Sequence, residues 1–309
     1  SFLASANCAL YCGATVDFVD IEPRSRNLSV AALAEKLVHA ETQGALPHLI
    51  IPVDFGGLPC DLREMRALAD RYGFRILQDA SHATGASYLG QPVGSAYADA
   101  SVFSFHAVKV VSTGEGGMVT TQSESLARQL RLLRSHGMTR EPADLTRAPE
   151  GPWVYEQQML GFNHRMTDIQ AALGESQLKR LEQMHAARVA LADRYDSLLA
   201  GLSLLLPVRL PDRTSAWHLY PIEIDAARSE RPRAAVFAAL REAQIGVNVH
   251  YIPIHTQPYY VSLGFKQGDF PAAERYYAAA ISLPLFPAMT HTQQDWVVET
   301  LHAALADRH

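Results

Sequence analysis

Between residues 29 and 134, short apolar runs alternate with capped helical stretches, and few folds accommodate that rhythm. Ser29 can cap a helix over residues 30–39, and Asp61 can cap another over 62–71 that Gly73 stops. Apolar runs at residues 49–53, 74–77, 102–105 and 118–121 read as strands, and residues 124–134 read as a further helix. Strands alternating with helices imply a largely parallel, doubly wound α/β sheet with helices packed on its faces. Upstream, residues 4–11 read as a helix ended by Gly13, and residues 16–21 as a strand.

Downstream the texture changes. Residues 139–160 carry Pro142, Pro149, Gly151 and Pro152, and a connection of that length usually has a task such as covering a site or a partner subunit. Thr167 and Gln170 have the spacing of a capping box. Ile169, Leu173, Leu178 and Leu181 mark the buried face of the helix that follows, which the pattern carries to about Leu199. A helix that long can bridge two domains, so the expected division is a large domain over 1–180 and a small one over 181–309 that includes the linking helix. Strands are expected at 202–206, 219–224 and 247–251, and helices at 231–244, 271–282 and 292–307, the content of a small α+β domain.

Composition removes several classes of function. A net charge of −5 and a pI near 6.2, with no basic run, make nucleic acid and anionic membrane poor partners. Cys8, Cys12 and Cys60 fit neither a disulfide framework nor a CxxC zinc spacing, which favours a reducing cytoplasm. No apolar run approaches the ~20 residues of a membrane-spanning helix. The sequence has no GxxxxGK[ST], no GxGxxG after a strand, no GxSxG and no HExxH, and its histidines do not cluster with acids at a metal-ligand spacing, so no metal is expected.

Two stretches carry chemistry. In S-V-F-S-F-H-A-V-K-V-V-S-T-G-E-G-G, residues 101–117, a strand pattern leads to Lys109 and closes on Gly114, Gly116 and Gly117. The chain has four lysines, and only Lys109 is flanked by apolar residues, where desolvation would lower its pKa and make the amine nucleophilic. A lysine snorkelling from a strand end would look the same. In F-R-I-L-Q-D-A-S-H-A-T-G, residues 74–85, Asp79 sits at the carboxyl end of a strand, where ligands of open α/β sheets collect. Asp79 could equally be a strand-ending cap. The pair says more than either member. Pyridoxal 5′-phosphate needs a lysine for its Schiff base and an acid that keeps its pyridine nitrogen protonated.

With those residues in view, the chain resembles the DegT/StrS nucleotide-sugar aminotransferases of the fold type I pyridoxal-phosphate enzymes. The resemblance is carried by D-A-S-H-A at 79–83, S-F-H-A-V-K at 104–109, E-G-G at 115–117, R-S-H-G-M at 134–138 and G-F-N-H-R-M-T-D-I-Q-A-A-L-G at 161–174. It continues in H-L-Y-P at 218–221, V-H-Y-I-P-I-H at 249–255 and I-S-L-P at 281–284. It implies that Lys109, Asp79 and His82 are catalytic, with His82 bonding the cofactor's phenolic oxygen. Ser104 would hold the phosphate, Phe2 would stack on the ring, Asn163 would reach the phosphate of a neighbouring subunit in a homodimer, and His106 would support the lysine loop. Asn248, His250 and Tyr251 resemble a segment lining the sugar-nucleotide site.

F-H-A-x-K followed by x-E-G-G is most similar to the members that aminate C4 of UDP-linked 4-keto-6-deoxy sugars on the route to pseudaminic acid, with L-glutamate as donor. The family also has an N-terminal segment, with a phosphate-holding turn, that precedes the point where this sequence begins, so the resemblance implies that part of the family fold is missing. The alternatives are a catalytically silent or fragmentary binding or regulatory protein on the same scaffold, and amination of a different keto sugar nucleotide. Sugar dehydratases on this fold place histidine where Lys109 stands.

Overall fold

The computed structural model describes residues 1–306. Asp307, expected at the end of the last helix, lies outside the described residues.

The first half is a four-stranded sheet in the order β1 (Leu49–Ile50), β2 (Arg75–Asp79), β5 (Ala100–Ser104), β6 (Gly117–Thr120). The first three strands are parallel and β6 runs antiparallel to β5. Helices α1 (Ala4–Tyr11), α2 (Val30–Thr42), α3 (Leu62–Tyr72) and α4 (Glu124–Arg134) accompany it. Ser29 caps α2 through Ala32 N at 3.2 Å, and Gly73 ends α3 at φ +79°. Asp61 precedes α3 without capping it, because its carboxylate bonds the Arg213 guanidinium at 2.6 Å instead. The expected 49–53 strand stops early at Pro52, which has no N–H for a ladder, although Val53 still bridges to Asp79. Residues 16–20 form no ladder; only Ile21 pairs, with Leu28. A core of Leu33, Leu37, Met65, Phe74 and Ile76 holds α2 and α3 against the sheet. Each such side chain stabilises by roughly 1.5–3 kcal/mol when buried.

Two short ribbons flank this sheet. One joins β3 (Ser87–Tyr88), β4 (Gln91–Pro92) and β10 (Arg213–Thr214); the other pairs β7 (Met138–Thr139) with β8 (Glu156–Gln157).

α5 (Asp168–Leu178) starts on the expected capping box: Thr167 Oγ1 accepts from Gln170 N at 3.3 Å, and Gln170 Oε1 accepts from Thr167 N at 3.0 Å. Most of its expected buried face, Ile169, Leu173 and Leu178, is instead turned outward, while Leu181 is half-buried against Gly85. Ile169 is 84% exposed and Leu173 47%, and Gly174 is its only buried residue. None of the described residues covers that stripe, the kind of apolar surface that marks an interaction face. The helix also ends sooner than expected, at a break at Lys179 and Arg180 before α6 (Leu181–Leu198) begins.

The second half is built on a three-stranded antiparallel sheet, β12 (Ala280–Leu283), β11 (Tyr220–Ile224), β9 (Leu204–Leu205), packed by α6, α7 (Arg233–Glu242) and α10 (His291–Ala306). The helix expected over 271–282 divides: α9 (Pro271–Ala279) passes directly into β12, whose apolar Ala280, Ile281 and Leu283 are drawn into pairing with β11. Residues 247–251 do not form a strand; only Asn248 bridges, to Ser282. The short helix α8 (Pro258–Ser262) brings Tyr260 against α1. The two halves have separate cores, and we propose the break at Lys179 and Arg180 as the domain boundary. Polar ties cross between them. Arg26 pairs with Glu223, and both Asp20 oxygens accept from the first turn of α9, at Ala272 N (2.8 Å) and Ala273 N (2.9 Å).

Candidate active site

The parallel strands end where Asp79 stands, at the carboxyl edge of β2, the side of an open sheet on which ligands bind. Its backbone is locked between neighbours: Asp79 N donates to Pro52 O at 2.9 Å and Asp79 O accepts from Asp54 N at 3.0 Å. Its carboxylate is locked too. Oδ1 accepts from Ser81 N at 3.0 Å and Oδ2 from Ser5 Oγ at 2.6 Å.

β5 runs beside β2 and delivers Ser104 at its end, then a turn in which Lys109 N donates to His106 O at 2.9 Å. Lys109 is half-buried; desolvation lowers its pKa, and the nearby Asp79 charge pulls it partly back. The two expected partners therefore share one site. Ser104 Oγ accepts from His106 N at 3.3 Å, which leaves its proton free to donate elsewhere.

His82 is buried, and its Nδ1 accepts from Gly56 N at 3.3 Å. An amide can only donate, so in the neutral ring the proton is on Nε2, which faces the Tyr251 hydroxyl at 3.3 Å. The ring stays neutral because burial, and then the charges of His218, Lys109 and His250, lower its pKa well below 6.5. The loop that supplies Gly56 hangs from Asp54, a fully buried carboxyl that accepts from Cys60 N at 2.9 Å and Gln78 Nε2 at 2.6 Å. Burial raises Asp54 to about 7, against the pull of those two donors. Gly57 is required there. At φ +103° it passes so close that a Cβ would lie 2.9 Å from both His82 O and Trp217 N.

Around this centre stand His250 (Nδ1 to Ser282 Oγ, 2.8 Å), Tyr251 and Phe2, whose ring lies 6.0 Å from that of Tyr251. Burial, followed by the Lys109 charge, lowers His250 to about 4, and burial with the Asp79 charge raises Tyr251 to about 12. Asn248 is exposed and its Oδ1 folds back onto Val249 N at 2.8 Å, while its backbone bridges to the serine that holds His250. Asn163 lies on an exposed surface, bridged by its backbone to Ser135, and it is not the cap of α5.

His218, Ser5 and Gly56 do not stand out in the sequence as site residues. His218 lies in the H-L-Y-P stretch, which names no chemistry by itself, yet its ring packs 4.4 Å from that of His82. Its Nδ1 is buried without a partner among the described residues. Burial, then the charges of Lys109, Arg188 and His250, lower its pKa well below the ordinary 6.5. Unfolding restores the ordinary affinity, so below pH 6.5 the unfolded chain binds the extra proton and stability falls with pH. One such group gives a slope of about 1.4 kcal/mol per pH unit. In denaturant unfolding of the apo-protein between about pH 5 and 6.5, His218→Asn should flatten the wild-type slope, by close to that full amount toward pH 5 and by about half of it at pH 6.5. An unchanged slope would mean that His218 is charged in the folded state.

A profile of the DegT/DnrJ/EryC1/StrS aminotransferase family matches residues 1–302. The chain belongs to that family. The spore coat polysaccharide biosynthesis protein SpsC of Bacillus subtilis is 38% identical over 304 residues, which are 97% of this chain and 76% of SpsC. Among solved structures, Helicobacter pylori PseC, an aminotransferase involved in the biosynthesis of pseudoaminic acid, superposes with a TM-score of 0.88 at 31% identity, covering 99% of this chain and 77% of PseC. A DegT DnrJ EryC1 StrS aminotransferase from Brucella abortus superposes at 0.87 with 28% identity, covering 99% and 78% of the two chains.

This family member is an aminotransferase, and its cofactor is pyridoxal 5′-phosphate. The residues present fit that group. They offer a desolvated lysine, an ordered carboxylate with lone pairs to spare, a neutral imidazole with its proton on Nε2, and a serine hydroxyl free to donate. The unpartnered His218 Nδ1 agrees with a ligand-lined centre, since an orphaned buried polar atom costs roughly 1–3 kcal/mol.

Proposed function

We propose that this aminotransferase moves the amino group of L-glutamate to C4 of a UDP-linked 4-keto-6-deoxy sugar, forming a product of the type of UDP-4-amino-4,6-dideoxy-N-acetyl-β-L-altrosamine. The observation that carries the chemistry is the meeting of Lys109, Asp79 and His82 at the carboxyl ends of β2 and β5. The sugar assignment is supported by the F-H-A-V-K and E-G-G stretches and by the likeness to PseC. When bound, pyridoxal phosphate supplies the electron sink that allows an amine and a carbonyl oxygen to be exchanged.

Each residue has a separate task. Lys109, neutral more readily than an exposed lysine, takes and returns the proton at its Nζ. Asp79 presents a fixed negative charge to the ring nitrogen, and His82 donates from Nε2 to the phenolic oxygen. Ser104 holds the phosphate and Phe2 covers the ring, while Asn248, His250 and Tyr251 line the sugar-nucleotide side. L-Glutamate leaves as 2-oxoglutarate before the keto sugar enters, so the kinetics are ping-pong.

The enzyme is a homodimer in this reading. The outward stripe of Ile169 and Leu173, with Leu160 (88% exposed) and Phe162 (59%) close in sequence to Asn163, supplies the apolar surface such a contact needs. Asn163 then reaches the phosphate bound by the second copy. No helix among the described residues is long and apolar enough to cross a membrane, and we place the enzyme in the cytoplasm, where its three free thiols would persist.

The test is an assay of UDP- and dTDP-linked 3-keto and 4-keto sugars with L-glutamate. The expected result is amination at C4 of a UDP-linked 4-keto-6-deoxy sugar, in clear preference to the others. Exclusive amination at C3 would overturn the sugar assignment.

A further inference from the structure

Asp79 is useful only if its carboxylate is held in one orientation, and the structure shows what holds it. A serine inside a helix ordinarily bonds its own backbone one turn back or faces water. Ser5, in the first turn of α1, does neither. Its Oγ crosses to Asp79, 74 residues further along the chain, and donates to Oδ2 at 2.6 Å, the short length of a charge-assisted bond. With Ser81 N on Oδ1 at 3.0 Å, each carboxylate oxygen has one fixed donor, and the plane of the group is set. Each oxygen keeps a lone pair for a further donor.

α1 is anchored independently of that bond. Leu3, Ala6 and Leu10 pack with Ile254 and Tyr260, and the Tyr260 hydroxyl donates to Asn7 Oδ1 at 2.6 Å. Ser5 is therefore a donor carried on a braced helix, three residues from Phe2 and on the side of the helix that meets the site. We infer that Ser5 is a positioning residue: it orients the Asp79 carboxylate toward the cofactor's ring nitrogen. This rests on the role assigned to Asp79 above.

The experiment compares Ser5→Ala, Ser5→Thr, Asp79→Asn and the double variant Ser5→Ala/Asp79→Asn in the full chain. Two quantities are read: the affinity of the apo-protein for pyridoxal phosphate by spectroscopic titration, and kcat and KM of the glutamate half-reaction. Loss of one hydrogen bond to a charged group predicts that Ser5→Ala binds the cofactor about 10-fold more weakly and lowers kcat about 10-fold, with the KM for glutamate little changed. Ser5→Thr, which keeps the hydroxyl, should restore both to near wild type. In the Asp79→Asn background Ser5→Ala should add nothing, because there is no carboxylate left to orient. If Asp79→Asn is impaired but Ser5→Ala is not, or if the two losses simply add, Ser5 does not act through Asp79 and the inference falls. If Asp79→Asn itself is unimpaired, the inference falls together with the role of Asp79.

Discussion

Lys109→Ala should form no Schiff base with pyridoxal phosphate and should lose transamination. On the proposed assignment the variant loses the lysine amine used for covalent attachment, and with it the group that moves the proton at the reacting carbon. Other lysines are poor substitutes. Lys36 Nζ is held by Phe18 O at 2.6 Å and by Asp17 at 2.7 Å, and Lys179 pairs with Glu175 at 2.7 Å on an exposed helix turn. Loss of both roles predicts a rate at least about 10⁴-fold below wild type. The fold should survive, because Lys109 contributes no side-chain hydrogen bond among the described residues and sits in a turn secured by its backbone bond to His106. The measurements are the visible absorption of the cofactor-treated protein and the glutamate half-reaction. A variant that still forms a covalent visible band would sink the assignment of Lys109.

Asp79→Asn tests the electrostatics separately from the covalent chemistry. The substitution is nearly isosteric, and the site can absorb it. The asparagine oxygen can accept from Ser81 N, and its amide can donate to Ser5 Oγ once that hydroxyl turns round. The fold and part of the cofactor affinity should therefore persist, and what disappears is the negative charge. A preorganised charge that matters most in the transition state lowers kcat and kcat/KM together when removed. The expected loss is on the order of 10²-fold or more, ~2.7 kcal/mol. Glutamate half-reaction rates near wild type, in a variant with an unchanged melting profile, would reduce Asp79 to a strand-end cap.

The features legible in the sequence were those decided locally. α4 begins after Ser123, whose hydroxyl accepts from Leu126 N at 3.3 Å, and the helix occupies the residues its pattern marks. The Thr167–Gln170 box behaves likewise, because both its partners lie within one turn. Failures came where a distant residue decided. Asp61 reads as a cap until Arg213 takes its carboxylate from 152 residues away. Residues 247–251 have strand composition, but a ladder needs a neighbour, and Ser282 engages only Asn248. α5 has the periodicity of a buried face with nothing among the described residues to bury it, since spacing specifies a stripe and not what covers it. The site divides in the same way. Lys109, Asp79 and His82 stand out because they sit in dense local motifs at strand ends. Ser5, Gly56 and His218 acquire their places through contacts that no spacing in the sequence encodes.

The bond from Gly56 N to His82 has a consequence for the direction in which protons can travel. A backbone amide never gives up its hydrogen at ordinary pH, so the Nδ1 lone pair is permanently engaged. The other nitrogen already carries a hydrogen, and a second positive charge beside Lys109 is disfavoured. The imidazole is thus a one-way fixture, able to offer a hydrogen bond and unable to receive a proton. At physiological pH it cannot compete with Lys109 for the hydrogen that must leave one carbon and arrive at another. With Lys109 as the proposed shuttle, the choice of a single carrier is made by a glycine amide on a loop held in place by the buried Asp54.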